Sequence, residues 1–205
     1  YMLGCISAND KFDMLNADFI VMYGANPAWA SGGNRMMHFM RAKQSGAEMV
    51  YVGPSYNFTA SALDARWVQV RPGTDVPLLL AVAYCMITED DPEANPLIDW
   101  DFLKRCTVGF TMDNLPADAT VQECFKDYVL GAYDGLPKTP EWATEICGTD
   151  VNDIRYLARV LGKTNKTMFL HSYAPARNKG AEDFPQLFLT LGCMGGHLGK
   201  SGHAT

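Results

Sequence analysis

Four short stretches of the sequence carry the side chains best suited to hold a ligand. They are GANPAWASGGN at 24–34, GPSYN at 53–57, RPGTD at 71–75 and SYAPARN at 172–178. All are rich in Gly, Pro, Ser, Thr and Asn, and none contains a His–Ser pair, a Cys–His pair or two close carboxylates. Such a set binds rather than breaks bonds. Gly24 lets the backbone take a positive φ and approach a ligand closely, and Asn26 offers one donor group and one acceptor. The helix expected after this loop presents free N–H groups, a natural place for phosphate. The same Gly and Asn also suit a plain strand-to-helix turn. Asp75 can accept from the ring N–H and the exocyclic amine of a guanine, or simply favour a helix N-terminus. Arg177 can grip a pyrophosphate in fork geometry, or pair with Glu182 or Asp183. The GxGxxG fingerprint is absent, which argues against dinucleotide binding of the ordinary NAD type and against a small dehydrogenase.

The elements that must position these loops are legible as alternating strands and helices. Asp18–Gly24, Glu48–Val52 and Lys166–Tyr173 are expected to be strands, the first and last of them buried, and Arg66–Val70 an alternating strand ended by Pro72-Gly73. Helices are expected over Ser31–Ser45, Thr59–Leu63, Asp75 to about Thr88, and Pro185–Gly192. Thr74 is placed to cap the third of these, with Pro77 in its first turn. Met36, Met37 and Met40 are expected to fill the core. Between 89 and 149 the pattern becomes a helical insertion with surface loops. It includes Trp100–Cys106, Val121–Gly131 and a helix opening at Thr139-Pro140-Glu141. A further helix, capped by Thr149 or Asp150, turns Ile154, Leu157, Ala158 and Leu161 to one side and ends at Gly162. The expected class is α/β, a Rossmann-like parallel sheet with helices on both faces, in one domain spanning 1–205. In such a sheet the loops at the carboxyl ends of the strands share one crevice.

Composition narrows the functions further. The chain has 205 residues and a formal charge of −6, the wrong sign for a binder of nucleic-acid backbones. No apolar run reaches the ~20 residues of a membrane span. The six cysteines include no CxxC pair, so reduced, mostly buried thiols are expected rather than a zinc or iron–sulfur site. The four histidines are scattered, and none is singled out as a ligand. The chain opens at Tyr1 and closes on GKSGHAT, as expected of an internal piece of a longer protein.

Taken together and in order, the loops resemble the molybdopterin oxidoreductase family of the dimethyl-sulfoxide-reductase type. The resemblance rests on VMYGANPAWA, TASALDARWVQVRPGTDVPLLLAVAYCMI, WDFLKRCTVGF, TPEWATEICGTDVNDIRYLAR, SYAPARNKGAED and LTLGCMGGHLGKSG, and spans nearly the whole chain. It implies a cofactor-holding domain for one arm of a bis(molybdopterin guanine dinucleotide), within an enzyme that moves an oxygen atom or two electrons at molybdenum. It carries cofactor contact onto Tyr23, Gly24, Ala25 and Asn26, onto Pro54, Ser55 and Asn57, onto Gly73, Thr74 and Asp75, and onto Arg177. Gly53 stands where relatives often have Asp, and Ala176 where they often have Gln. The resemblance places the molybdenum ligand and any iron–sulfur cluster outside this chain, so no catalytic residue is expected within it and no turnover from it alone. It also implies an iron–sulfur partner subunit, a membrane anchor, and a bacterial parent in the periplasm or on the outer face of the cytoplasmic membrane. The competing expectation is a free-standing nucleotide-binding or regulatory module without redox chemistry.

Overall fold

The computed structural model of the protein describes residues 10–29 and 35–205. Strands β1 (Phe19–Tyr23), β2 (Glu48–Gly53), β3 (Arg66–Gln69) and β4 (Thr167–His171) form one parallel sheet in the order β3-β2-β1-β4. Tyr23 lies level with Val52 on one side and with His171 on the other, and Gly53 lies level with Gln69. All four strands therefore end on one rim. The helices are α1 (Arg35–Gln44), α2 (Phe58–Ala62), α3 (Asp75–Thr88), α4 (Trp100–Cys106), α5 (Phe125–Val129), α6 (Pro140–Cys147), α7 (Val151–Val160) and α8 (Phe184–Met194). Cys5, the expected helix start at Ser31 and the ASGGN stretch fall outside the described residues.

Both faces of the sheet are covered, which explains why β1 and β2 are apolar almost throughout, while the edge strand β3 leaves Arg66 and Gln69 exposed. On one face Ile20, Met22, Met49 and Tyr51 pack with Ala42 of α1 and Ala60 of α2. On the other, Val21, Tyr23, Val50 and Val52 pack against α3, α6, α7 and α8. Helix α3 is buried along most of its length from Leu78 to Met86, as befits a helix packed against α5, α6, α7 and α8. After α8 the chain returns beside β4, where Met168 pairs with Ala204 in a parallel bridge.

Local chemistry sets the element ends. Asn57, Asp99, Thr139 and Asp150 each accept a backbone N–H from the first turn of the helix that follows. Of the two candidate caps for α7, Asp150 does the work, and Thr149 instead donates to the Gln69 carbonyl at 2.6 Å. Thr74 occupies the cap position of α3 but makes no side-chain cap, because its hydroxyl donates back to Arg71 O at 2.8 Å. The helix expected over Val121–Gly131 is confined to α5. Phe125 N and Lys126 N donate to Gly109 O and Phe110 O, and Cys124 N donates to the Tyr133 hydroxyl, so the preceding residues are held in a loop. Met36 packs on the core, whereas Met37 and Met40 are exposed, because only one side of α1 meets the sheet. Cys85, Cys124, Cys147 and Cys193 are buried free thiols, and Cys106 is exposed. Among the described residues no helix is long and apolar enough to cross a membrane.

Candidate functional site

The rim of the sheet is a single structure in which the four strand-end loops are tied together. Gly24 takes a φ of +61°, and its N–H donates to Val52 O at 2.8 Å. A Cβ at this position would stand 3.0 Å from the Pro175 ring, so the loops after β1 and β4 touch here. Ser172 completes that join by donating its hydroxyl to Gly24 O at 2.5 Å and its N–H to Tyr23 O at 3.0 Å. The loops after β1 and β2 are joined by Asn57, whose amide donates to Ala25 O at 3.1 Å. The loop after β3 reaches the same neighbourhood, for a Cβ at Gly73 would lie 3.9 Å from Asn178. It is braced from behind by the insertion. Arg71 N donates to Cys147 O at 2.9 Å, and the Arg71 guanidinium donates to the carbonyls of Glu145 and Ile146 at the end of α6.

Within this rim the expected residues fall into two groups. Asn26, Ser55 and Asn57 line a cavity of about 480 Å³ between the β1 and β2 loops, together with Trp29, Tyr56, Phe58 and Ser61. The Trp29 and Phe58 rings stack with centroids 5.6 Å apart and planes 15° from parallel. Both remain largely exposed, Trp29 at 75% and Phe58 at 65%. Pro54 is exposed beside this cavity but is not part of its wall. Ala25 takes part through its backbone carbonyl.

Gly73, Thr74, Asp75 and Arg177 belong to the second group. Asp75 is 6% exposed and sits beside the fully buried Tyr23 hydroxyl, which makes no well-aligned hydrogen bond. Burial raises the Asp75 carboxyl above its ordinary range, while the Tyr23 hydroxyl and the backbone at Asp75 and Gly73 draw it back. Burial, then the adjacent Asp75 charge, holds the Tyr23 hydroxyl well above its ordinary range. The Tyr23 side chain packs against Phe169, Phe184 and Phe188, so it faces the core, with Asp75 beside its hydroxyl. Arg177 is exposed and makes no ion pair with Glu182 or Asp183, and its guanidinium lies 5.8 Å from the centre of the Tyr173 ring.

Reading the loops singly missed Thr59 and the aromatic wall. Thr59 Oγ1 accepts from Ala28 N at 2.9 Å, so its one proton goes to Asn26 Oδ1 at 2.7 Å. That bond turns the Asn26 NH2 group away, where it meets no partner among the described residues. Trp29, Tyr56 and Phe58 could have been flagged as large aromatics in loops otherwise made of small polar residues, since exposed aromatics commonly mark a binding surface.

This architecture is that of an open parallel α/β domain, a class whose ligands commonly bind at the carboxyl ends of the strands. Residues 3–107 match the family model described as molybdopterin oxidoreductase. The chain is 34% identical to the probable dimethyl sulfoxide reductase chain YnfF of Escherichia coli, over 98% of this chain and 25% of that protein. It is 35% identical to the dimethyl sulfoxide reductase DmsA of Haemophilus influenzae, over the same shares. The fold superposes on acetylene hydratase from Pelobacter acetylenicus with a TM-score of 0.66 at 18% identity, covering 91% of this chain and 24% of that one. The chain belongs to the molybdopterin oxidoreductase family, of the dimethyl-sulfoxide-reductase type, and spans about a quarter of the length of the curated relatives it matches. Family membership implies a molybdenum–pterin cofactor in the parent enzyme.

Proposed function

We propose that this chain is the part of a molybdenum reductase that holds one pterin guanine dinucleotide arm of the cofactor. The observation that carries this reading is the rim, where the loops after β1, β2 and β4 are fastened to one another, the loop after β3 lies beside them, and unused polar groups turn outward. The residues suit such a group. The Asn26 amide and the Ser55 and Ser61 hydroxyls have hydrogen-bonding capacity left over among the described residues, Asp75 is a part-desolvated acceptor, and Arg177 is an exposed cation that forms no ion pair among the described residues. When bound, the cofactor supplies molybdenum chemistry: transfer of an oxygen atom or of two electrons.

In this reading the protein's own residues orient and retain the cofactor. Asp75 accepts from a ring N–H and its neighbouring amine, Arg177 pairs with phosphate, and Gly24 and Gly73 allow close backbone approach. Tyr23, Thr74 and Ala25 hold those groups in place, and Pro54, Ser55 and Asn57 shape the second loop. The molybdenum ligand and the substrate funnel lie in other segments of the parent, so the isolated chain turns nothing over. The parent works with an iron–sulfur subunit and a membrane anchor on the outer side of the bacterial membrane.

The test is to measure molybdenum and guanine content in the purified full-length enzyme carrying Asp75→Ala. A severalfold loss of both is expected. Wild-type content in that variant would remove Asp75 from the site.

A further inference from the structure

The side chain of Arg71 is bound to a helix end rather than to a carboxylate. It is exposed, yet among the described residues it forms no ion pair. Its guanidinium donates instead to Glu145 O at 3.2 Å and to Ile146 O at 3.1 Å, both in the last turn of α6. A helix C-terminus carries partial negative charge and carbonyls without intrahelical partners, so a cation with several donors is held there twice over. Gly148 ends α6 at a φ of +73° and gives the guanidinium room, for a Cβ there would stand 3.1 Å from Arg71 Nε.

The backbone is fastened at the same point. Strand β3 is an edge of the sheet, and residues 147–149 meet its outer side. Arg71 N donates to Cys147 O at 2.9 Å, and the Thr149 hydroxyl donates to Gln69 O at 2.6 Å. Arg71 is also the first residue of a tight turn. Pro72 and Gly73 fill its middle, Gly73 at a φ of +79°, and Thr74 N closes it on Arg71 O at 3.2 Å. Asp75 follows at once and opens α3, which packs against α6. Proline stiffens the turn, so whatever fixes Arg71 also fixes the residue four places on. The Asp75 carboxyl, 6% exposed, has little room to find its position by itself.

We infer that Arg71 is a positioning residue for cofactor retention: it fastens the Pro72-Gly73 turn to the end of α6 and so sets where the Asp75 carboxylate stands. This role rests on the reading of the chain as a cofactor-holding domain with Asp75 in its site. It gives the helical insertion a part in binding, although the insertion contributes no group to the rim itself. Arg71 acts through Asp75 and touches no ligand.

The experiment purifies the full-length enzyme as wild type, as Arg71→Ala, Arg71→Lys, Gly148→Ala and Asp75→Ala, and as the double variant Arg71→Ala with Asp75→Ala. Molybdenum and guanine per protein are measured, with thermal midpoints alongside. Arg71→Ala should lower both contents roughly threefold, on the scale of one hydrogen bond's net contribution. Arg71→Lys keeps the charge but not the fork, and should lose less. Gly148→Ala crowds the guanidinium from within the insertion and should reproduce the loss. The double variant should hold as much cofactor as Asp75→Ala alone, because a residue that acts through Asp75 then has nothing left to place. A merely loosened fold would lower the midpoint and subtract again from the Asp75→Ala content. Wild-type contents in Arg71→Ala beside a depleted Asp75→Ala would overturn the inference and leave the cofactor-domain reading standing. A further fall in the double variant would overturn it too. Wild-type contents in Asp75→Ala would strike the reading itself, and the inference with it.

Discussion

The rim and the helical insertion are built from similar residues to opposite ends. In the insertion and its approaches, polar groups are spent internally. Asp90 accepts from Leu97 N, Ile98 N and Trp100 Nε1 at 2.7–3.0 Å. The Lys138 ammonium, only 2% exposed, is met by Asp134 and the Leu136 carbonyl at 2.5 Å each and lies 4.5 Å from the centre of the Tyr128 ring. At the rim, Asn26, Ser55, Ser61 and Arg177 keep capacity unspent, and Trp29, Phe58 and Tyr173 keep their faces in water. A region whose polar groups are satisfied within the chain serves stability, because an unpaired buried group is costly. A region that leaves them open and mutually oriented serves a ligand.

Substitutions should therefore separate stability from binding. The largest effect is expected from Asp90→Ala, which strips an acceptor from three donors at once. Urea unfolding should show a loss of about 3 kcal/mol, with the cofactor content of the folded full-length enzyme unchanged. A loss below about 1 kcal/mol would mean that water replaces the carboxylate at little cost.

Acid should next strike a buried pair outside both regions, beyond α8. His197 is fully buried, its Nδ1 3.0 Å from His203 Nδ1 and its Nε2 2.8 Å from Leu161 O. Burial pulls its pKa down to about 4 from 6.5, with His203 and Lys200 adding to the fall and the Leu161 carbonyl and Asp99 opposing it. A histidine whose folded pKa is depressed contributes most above the unfolded value. Stability should be full above about pH 6.5 and fall by up to about 3 kcal/mol on the way to pH 4. His197→Gln should flatten that stretch of the pH–stability curve, and an unaltered curve would clear the histidine pair of the role.

At the rim the stability effects should shrink. Gly24→Ala places a Cβ at positive φ and against Pro175, which should cost about 1–2 kcal/mol and loosen the join between the β1 and β4 loops. Trp29→Ala, at a position 75% exposed, should change unfolding free energy by less than about 0.5 kcal/mol while lowering the cofactor content of the full-length enzyme. A Trp29→Ala variant that unfolds easily and binds normally would invert the contrast between the two regions.

The frame of the molecule was written plainly in the sequence. Gly24, Gly53 and the Pro72-Gly73 turn mark strand ends, and Thr74-Asp75 with Pro77 marks the start of α3, all through local rules of backbone geometry. Where expectation and structure part, a distant contact had outbid a local preference. Residues before α5 are drawn off by Gly109 and Phe110, and Thr149 leaves the cap of α7 to Asp150 in order to reach Gln69. The rim was half legible. Asn26, Asp75 and Arg177 stood out by type. The pairing of Trp29 with Phe58, the fixing of Asn26 by Thr59 and the meeting of His197 with His203 depend on which loops become neighbours, and no single stretch of sequence records that.

The most direct measurement is a cofactor-loaded structure of the full-length enzyme, by crystallography or cryo-electron microscopy. The account predicts a pterin dinucleotide lying along the carboxyl ends of β1–β4, within hydrogen-bond reach of Asn26 or Asp75. A cofactor lying wholly at the opposite ends of these strands, touching none of the four loops, would contradict it.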